Sequence, residues 1–283
     1  MKLLNSDFSD IWDDPSNPLD GGCFVSTSDF DFTDRSIQVG NGAASGSCNF
    51  NNSISGIIGN GEMNYKIEKN IFGIGDGTNK ILNYCIKISN NGEKEILIEN
   101  VNKFYDYKHG IDISAPEGKI YVRENTFYNT FFNGSTNFEG TAINVYSPYP
   151  IKLYGSEISD NLIGNSSQQA RIGIHMSNIE KIGISGNEIY FNHSSAPTDM
   201  FSGIYLQNCN NARLEKNKVE NVNATHPVGS HTFLTGLRIH SSNNTCIENS
   251  ELKNLGHSME FEGESVVNSL FQNIITNFDT AIF

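Results

Sequence analysis

The sequence predicts an all-β protein, a right-handed parallel β-helix with three parallel sheets and about eight or more coils. Three observations lead to this prediction. A four-residue phrase recurs along the chain, a second phrase with a central Asn follows it at a nearly fixed distance, and most variation in length falls at one point of the repeat. Fixed strands with one variable corner are typical of a solenoid whose loops lie on one side.

The first phrase is a small residue followed by an apolar, a polar and an apolar residue. It reads CIKI at 85, GIDI at 110, AINV at 142, GIHM at 173, GIYL at 203, GLRI at 236, SMEF at 258 and AIF at 281, with spacings of 25, 32, 31, 30, 33, 22 and 23 residues. Alternation over four or five positions indicates a strand and not a helix. Stacked at about 4.8 Å per rung, these strands form one inward column, consisting of Ile111, Ile143, Ile174, Ile204, Leu237 and Met259.

The second phrase has Asn between two apolar residues. It reads VRENTF at 122, ISDNLI at 158, ISGNEI at 184, LEKNKV at 214, IENSEL at 247 and LFQNII at 270. Its central residue lies 14 or 15 residues after the small residue of the same coil at Asn125, Asn187, Asn217, Ser250 and Asn273, and 19 residues after it at Asn161. We expect these side chains to form a ladder inside a turn, each amide bonding the next coil.

Three other repeat or all-β architectures fit less well. A leucine-rich repeat also has an Asn column, but its return segments are regular in length, whereas those of this chain are irregular and rich in Asn, Gly, Ser and Thr. A left-handed hexapeptide helix requires a strict six-residue period, and a β-sandwich shows paired hairpin turns instead of one repeated coil.

Composition excludes several classes of function. The net charge is −13, from 32 acidic and 19 basic residues, and no block of Lys and Arg offers a footprint for nucleic acid or an anionic membrane. No stretch approaches the roughly 20 apolar residues of a membrane span. Five scattered cysteines form neither a disulfide scaffold nor a metal-type pair: Cys23, Cys48, Cys85, Cys209 and Cys246.

The repeat also suggests how the chain is organised. Residues 1–35 are predicted to be an acidic N-terminal segment that forms an irregular first coil or a cap, and residues 36–283 to be the parallel β-helix. The final DTAIF has the pattern of an inward-facing strand without a polar cap, so we expect a β-helix truncated at its C-terminus. MKLLNSDFSD lacks the apolar run of a signal peptide, which fits either a removed leader or a piece of a longer chain.

The repeat GIYLQNCNNARLEKNKV at 203 resembles the pectin-lyase-like proteins, in the branch with short β-helix repeats of the form GIxLxxxxxxxIxxNxI. The resemblance covers residues 85–283 well and residues 36–84 loosely. It implies a groove over the outer face of the sheet that carries the GIxL strands, walled by the preceding loops. It implies little about activity, because the family contains lyases, hydrolases, esterases, epimerases, tail spikes and adhesins.

Alternation predicts which side chains face outward in that sheet. One column contains Lys87, Asp112, Asn144, His175, Tyr205, Arg238 and Glu260, and the next contains Tyr146, Gln207, His240 and Glu262. A polysaccharide lyase needs a cation beside the uronate carboxylate, and it needs a base and an acid within hydrogen-bond reach of the substrate. Arg238 could be the cation, and His175 and Tyr205 could be the base and the acid. The alternative is an ordinary polar sheet face in which Arg238 pairs with Glu260 one rung away.

Two further kinds of site have weaker support. Glu260 and Glu262 lie two residues apart on one face, near 7 Å, which permits an inverting glycosidase pair, but the sequence lacks polygalacturonase signatures. Asp29, Asp31 and Asp34 are close in sequence, yet they have the pattern of a solvated acidic turn, and we predict no metal site and no cofactor.

The sequence therefore predicts a secreted or cell-surface β-helix module that binds a polysaccharide or cell-surface glycan through its loop-flanked face, or serves as an adhesive or structural segment. The predicted contact residues are Asp112, Asn144, Tyr146, Gln207, His240, Glu260 and Glu262. The alternatives are a lyase that uses His175, Tyr205 and Arg238 and, with less support, an inverting glycoside hydrolase. The oligomeric state is left open.

Overall fold

The computed structural model describes residues 2–3, 7–9, 22–27, 36–40, 47–51, 53, 55–73, 81–89, 92–128, 140–166, 169–194, 199–223 and 233–282. Within these ranges the chain forms 28 β-strands and no helix, and every strand pairing is parallel. Because successive coils pair strand upon strand in sequence order, the structure confirms the predicted parallel β-helix. Crossovers between parallel strands of one sheet are right-handed in nearly all proteins.

Each coil contributes one strand to each of three sheets, which we name A, B and C in chain order. Sheet A contains ten strands, namely β1 Lys2–Leu3, β4 Ser36–Val39, β7 Asn64–Glu68, β10 Ile96–Glu99, β13 Ile120–Arg123, β16 Glu157–Ser159, β19 Gly183–Ser185, β22 Arg213–Glu215, β25 Asn243–Glu248 and β27 Val266–Phe271. Sheet B contains short strands, namely β2 Asp7–Ser9, β5 Asn49–Asn51, β8 Ile71–Phe72, β11 Lys103–Phe104, β14 Thr126–Phe127, β17 Leu162–Ile163, β20 Glu188–Phe191 and β23 Lys218–Asn221. Sheet C carries the GIxL strands, namely β3 Gly22–Thr27, β6 Ser55–Asn60, β9 Ile81–Ser89, β12 Tyr107–Ser114, β15 Thr141–Lys152, β18 Ile172–Glu180, β21 Phe201–Gln207 and β24 Leu234–His240.

Sheets B and C merge at the C-terminal end of the solenoid. The long strands β26 Glu251–Glu262 and β28 Ile274–Ile282 run through both sheets, and β26 pairs with β23 at its start and with β24 at its end. At the other end, strands β1, β2 and β3 from residues 1–35 pair in parallel with β4, β5 and β6. The boundary at residue 35 stays a prediction.

The core consists of side-chain columns that run along the solenoid axis. The predicted inward column of sheet C is confirmed, since its members pair rung by rung and all are fully buried. In sheet B, the rings of Phe50, Phe72, Phe104 and Phe127 stack with centroid separations of 4.8, 4.9 and 4.4 Å. Stacking at the spacing of the rungs lets each aromatic ring contact its neighbours without distorting the coil.

The small residue of each sheet C phrase is required by packing. A Cβ placed on Gly203 would lie 2.6 Å from the carbonyl oxygen of Gly236 and 2.7 Å from a methyl group of Val219. Gly110, Gly173 and Gly236 meet the same two kinds of neighbour, a carbonyl of the next coil and an inward side chain of sheet B. The position therefore accepts only small side chains, which explains the first letter of the repeat.

The predicted Asn ladder is also confirmed, at the corner between sheets A and B. The side-chain amide nitrogen of each Asn donates to the amide oxygen of the next, with distances of 3.0, 2.9, 3.1, 2.9 and 3.0 Å along Asn70, Asn102, Asn125, Asn161, Asn187 and Asn217. The residue before each of these Asn has a positive φ, for example 56° at Lys216. This left-handed turn points the amide inward, where an unpaired amide would cost about 1–3 kcal/mol.

The cysteines and the possible membrane spans are two features that the composition addressed. Cys48, Cys85 and Cys209 are buried and Cys246 is partly exposed, while Cys23 has no described side chain. Among the described residues, none belongs to a helix with the length and apolarity needed to cross a membrane.

Candidate functional site

The outer face of sheet C holds the two predicted columns of side chains. Register pairing places Lys87, Asp112, Asn144, His175, Tyr205, Arg238 and Glu260 on seven consecutive rungs. The second column contains Ser89, Ser114, Tyr146, Ser177, Gln207, His240 and Glu262 in the same way. The structure therefore brings together every predicted site residue, while their roles stay predictions.

This face contains two neighbouring cavities of about 430 Å³ each. One is lined by Arg171, Ile172, Met200, Ser202, Tyr205, Gln207 and Arg238. The other is lined by Asn83, Tyr84, Lys108, His109, Asp112, Asn144, Tyr146, His175, Ser177 and Gln207. The two cavities adjoin at Gln207, which lines both, and we name the surface that they form together the sheet C groove.

A hydrogen-bonded chain of three buried side chains crosses the groove floor. The Asn144 amide nitrogen donates to Asp112 Oδ2 at 2.9 Å, and its amide oxygen lies 2.7 Å from His175 Nδ1. An amide oxygen only accepts, so His175 must carry its proton on Nδ1 in this arrangement. The chain fixes the orientation and tautomer of the imidazole.

Burial controls the protonation of both ends of this chain. Desolvation lowers the pKa of His175 to about 4, so the imidazole is neutral near neutral pH. Desolvation raises the pKa of Asp112, although the bond from Asn144 and the charge of Lys87 act in the opposite direction. Asp112 is 5% exposed, and its Oδ1 has no hydrogen-bond partner among the described residues. A polar ligand atom in the groove could supply that partner.

The C-terminal end of the groove is an ion-paired network centred on Arg238. Its guanidinium donates to both carboxylate oxygens of Glu262, at 2.6 and 3.2 Å, whereas the nearest oxygen of Glu260 is 3.9 Å away. The expected pairing with Glu260 is therefore secondary, because the long Arg side chain reaches diagonally to the next outward position. The hydrogen bond from Arg238 lowers the pKa of Glu262 to about 2.

Aromatic rings link the two ends. The ring of Tyr205 lies between its rung neighbours, with centroids 5.1 Å from His175 and the Arg238 guanidinium carbon 5.2 Å from the ring centre. At the other end, Lys87 Nζ lies 4.5 Å from the centre of the Tyr84 ring, and that ring stacks on His109 at 5.0 Å. Burial and the charge of Asp112 raise the pKa of Tyr84 to about 12, so its hydroxyl stays a donor.

This geometry bears on the two predicted chemistries. A lyase needs a cation that can pair with a uronate carboxylate, but the guanidinium of Arg238 is already bound by Glu262 and only 12% of its side chain is exposed. An inverting hydrolase needs carboxyl groups about 6.5–9.5 Å apart. It also needs one carboxyl group that stays protonated as the general acid, whereas the hydrogen bond from Arg238 lowers the pKa of Glu262 to about 2.

Several groove residues were missed from the sequence. Tyr84, Lys108, His109 and Arg171 all line the groove, upstream of the four-residue phrase. Strict alternation fails there, because the small residue and the apolar residue after it both face the interior, as at Gly110 and Ile111. The residue just before the small one therefore faces outward, as His109 does, where strict alternation would place it inward.

Most of the predicted loop walls lie outside the described residues, including all of 129–139, 195–198 and 224–232. Asp29, Asp31 and Asp34 also lie outside them. Among the residues that are described, no group of three or more His, Cys, Asp and Glu side chains is arranged to hold a metal ion.

No protein-family model matches the sequence, and no curated protein matches it. Among solved structures, the A-module of the Azotobacter vinelandii mannuronan C-5 epimerase AlgE4 superposes with a TM-score of 0.34 and 11% sequence identity, over 88% of this chain and 81% of that one. The parallel β-helix itself is established by the strand pairing of this chain.

Proposed function

We propose that the sheet C groove binds an extended polysaccharide and that the protein is a carbohydrate-binding β-helix module. The observation that carries this proposal is the pair of adjoining cavities that share Gln207 along consecutive rungs. A linear chain of sugar rings needs a long concave surface with a few fixed polar groups, and the groove offers both. An extracellular or cell-surface location, where such polymers occur, is part of the same proposal.

The chemistry of the lining supports a saccharide ligand. Tyr146 is 36% exposed at the groove, so its ring can stack on the apolar face of a sugar. Asp112 Oδ1 and the Gln207 amide offer acceptor and donor positions for hydroxyl groups. Sugar rings need this combination of an aromatic platform and converging polar groups.

Binding fits the geometry better than elimination. Arg238, the cation that the lyase interpretation requires, is bound by Glu262 and lies over the ring of Tyr205. Freeing it would leave the Glu262 carboxylate without its main partner. A ligand that contacts the groove through hydroxyl groups requires no such rearrangement.

The test is binding to a panel of immobilised polysaccharides, namely polygalacturonate, alginate, xylan and a mixed-linkage glucan, by affinity electrophoresis. We expect at least one to retard the protein. Tyr146→Ala and Gln207→Ala should each weaken that binding roughly tenfold, since one stacked ring or one hydrogen bond contributes about 1–1.5 kcal/mol.

The matched control is Tyr121→Ala, which removes an outward tyrosine from sheet A, where Arg123 lies 4.6 Å from the ring centre. It should leave retardation unchanged. If no polysaccharide retards the protein, or if Tyr121→Ala weakens retardation as much as Tyr146→Ala, the groove is not the binding surface.

A second candidate function is β-elimination on a uronate-containing glycan, and one observation favours it. The Asp112, Asn144 and His175 chain holds a neutral imidazole in one tautomer, as a general base requires. Release of unsaturated uronate from polygalacturonate or alginate, followed by its absorbance, tests this function. Product that disappears in both His175→Gln and Arg238→Ala would show that binding alone is an incomplete account.

A further inference from the structure

The outer face of sheet A carries a second depression, which we name the sheet A notch. Its volume is about 660 Å³, larger than either cavity of the sheet C groove, and it lies over β16, β19 and β22 on three consecutive rungs. Its lining includes Tyr154, Glu157, Lys181, Gly183, Arg213 and Glu215. The notch is on a different sheet from the groove, so it is a separate surface.

The notch exists because one outward column is interrupted by a glycine. Tyr121, Glu157, Gly183 and Arg213 follow one another on consecutive rungs of sheet A. The neighbouring outward position on the same rung is Ser185, which is also small. The missing side chain at Gly183 therefore leaves a floor of backbone between an acidic and a basic residue.

The fold does not require glycine at this position. The φ of Gly183 lies outside the left-handed region, and a Cβ added there would meet nothing closer than the carbonyl oxygen of Ser156 at 3.8 Å, an ordinary contact. At Gly203, by contrast, a Cβ would lie 2.6 Å from a backbone oxygen. Glycine inside a strand reduces stability and often marks a place where a ligand approaches the backbone closely. Close approach of a ligand to the backbone is therefore the explanation that fits Gly183.

The walls offer a ring platform and hydrogen-bonding groups. Tyr154 is 57% exposed, and Lys181 Nζ lies 4.5 Å from its ring centre. Glu157 accepts a hydrogen bond from Ser185 Oγ at 3.1 Å, which leaves acceptor positions on a carboxylate that has about four. Arg213 Nη2 lies 3.0 Å from Glu215 and 3.4 Å from Glu248, and 62% of the Arg213 side chain is exposed, so its other N–H groups can donate to a ligand.

The balance of charge defines the ligand class. Two acidic groups, Glu157 and Glu215, face two basic groups, Lys181 and Arg213, so neither an anion nor a cation gains on every wall. A neutral sugar does gain on every wall, because its hydroxyl groups donate to carboxylates and accept from the guanidinium, and its apolar face stacks on tyrosine.

We propose that the sheet A notch is a second binding site, for a short neutral saccharide that rests on the Gly183 backbone, stacks on Tyr154 and hydrogen-bonds to Glu157 and Arg213. This inference does not rest on the function proposed for the sheet C groove, since the two sites share no residue.

The test fills the notch without disturbing the fold. Binding of cellohexaose, maltohexaose, xylohexaose and mannohexaose to the whole chain is measured one at a time by saturation-transfer NMR and titration calorimetry. We expect at least one to bind, and Gly183→Val to weaken its binding at least about tenfold while the melting temperature stays the same or rises. Polysaccharide retardation through the sheet C groove should be unchanged in this variant.

A second variant and a matched control complete the test. Tyr154→Ala should weaken the same hexaose roughly tenfold through loss of stacking. Tyr190→Ala should have no effect, although it removes a tyrosine with a similar lysine, Lys218, 5.1 Å from its ring centre on sheet B. The proposal is overturned if none of the four hexaoses binds, or if the hexaose that binds does so equally well to Gly183→Val and Tyr154→Ala.

Discussion

Substitution of one ladder residue, Asn187→Ala, tests the physical basis of the solenoid. The Asn187 amide nitrogen donates to the carbonyl oxygen of Ile158 at 2.9 Å and to Asn217 Oδ1 at 3.0 Å. Its amide oxygen accepts from the backbone N–H and the side-chain amide of Asn161, at 3.1 and 2.9 Å. Alanine removes these four bonds, and a fifth from the same amide nitrogen to the carbonyl oxygen of Ser185 at 3.1 Å, from a fully buried site.

The expected loss follows from the groups left without partners. The carbonyl of Ile158 and the backbone N–H of Asn161 lose a partner inside the core, and each such group costs about 1–3 kcal/mol, which gives about 2–6 kcal/mol in total. Asn217 Oδ1 loses less, because it also accepts from the backbone N–H of Asn187 at 3.2 Å. Urea unfolding followed by far-ultraviolet circular dichroism measures the change in unfolding free energy.

The ladder contains its own control. One coil further along the ladder, Ser250 Oγ accepts from the backbone N–H of Asn217 at 3.3 Å and donates to the backbone carbonyl oxygen of Glu248. A serine in the ladder therefore keeps the hydrogen bond to the backbone N–H of the preceding coil but not the bond between side chains. Asn187→Ser should therefore cost clearly less than Asn187→Ala. If both variants unfold within about 0.5 kcal/mol of the native chain, the ladder does not stabilise the coils as described.

Three other outcomes are expected. Gly203→Ala should lower the free energy of unfolding by about 1–3 kcal/mol through overpacking, whereas Gly183→Ala should leave it unchanged or raise it by up to about 1 kcal/mol. Equal thermal midpoints of the two variants would contradict the packing described for the small residue. Burial lowers the pKa of His175 to about 4 in the folded chain, whereas its ordinary value is 6.5. As the pH falls below 6.5, the unfolded chain therefore binds more protons than the folded chain, and the stability that is present above pH 6.5 is lost progressively down to about pH 4. This loss is about 3 kcal/mol. It is measured by comparing the unfolding free energies of the native chain and of His175→Gln at pH 7 and at pH 4. If the variant shows the same pH dependence as the native chain, the lowered pKa of His175 is contradicted. Glu262→Gln should leave Arg238 with Glu260 as its remaining acidic partner and shift the polysaccharide affinity of the groove, read by affinity electrophoresis, while Glu215→Gln on sheet A should not.

The sequence predicted the parts of the structure that repeat. The inward column through Ile174 and Ile204 and the outward neighbours His175, Tyr205 and Arg238 were found correctly, because alternation within a strand and stacking between coils suffice to place them. The Asn ladder was also predicted correctly, because coils stack directly on one another and a buried amide must be paired in every coil.

What the sequence did not predict depends on local departures from the repeat. Asn102 belongs to the ladder, but IENVN has one residue more than the phrase, and the extra residue is absorbed by positive φ values of 59° at Asn100 and 62° at Val101. The groove residues Tyr84 and His109 pair next to a register shift that lies between Tyr107 and His109, where strict alternation fails. The diagonal pairing of Arg238 with Glu262 depends on the reach of the side chain, which periodicity does not contain.

The central claim, that the sheet C groove binds an extended glycan, is tested most directly by the dependence of affinity on ligand length. The seven rungs from Lys87 to Glu260 span about 29 Å at 4.8 Å per rung. Calorimetric titration with size-fractionated oligosaccharides of the polysaccharide that the protein retains should show affinity rising with length until the groove is filled, and Gln207→Ala, at the junction of the two cavities, should abolish that rise. A disaccharide that binds as tightly as the longest oligosaccharide would contradict the claim.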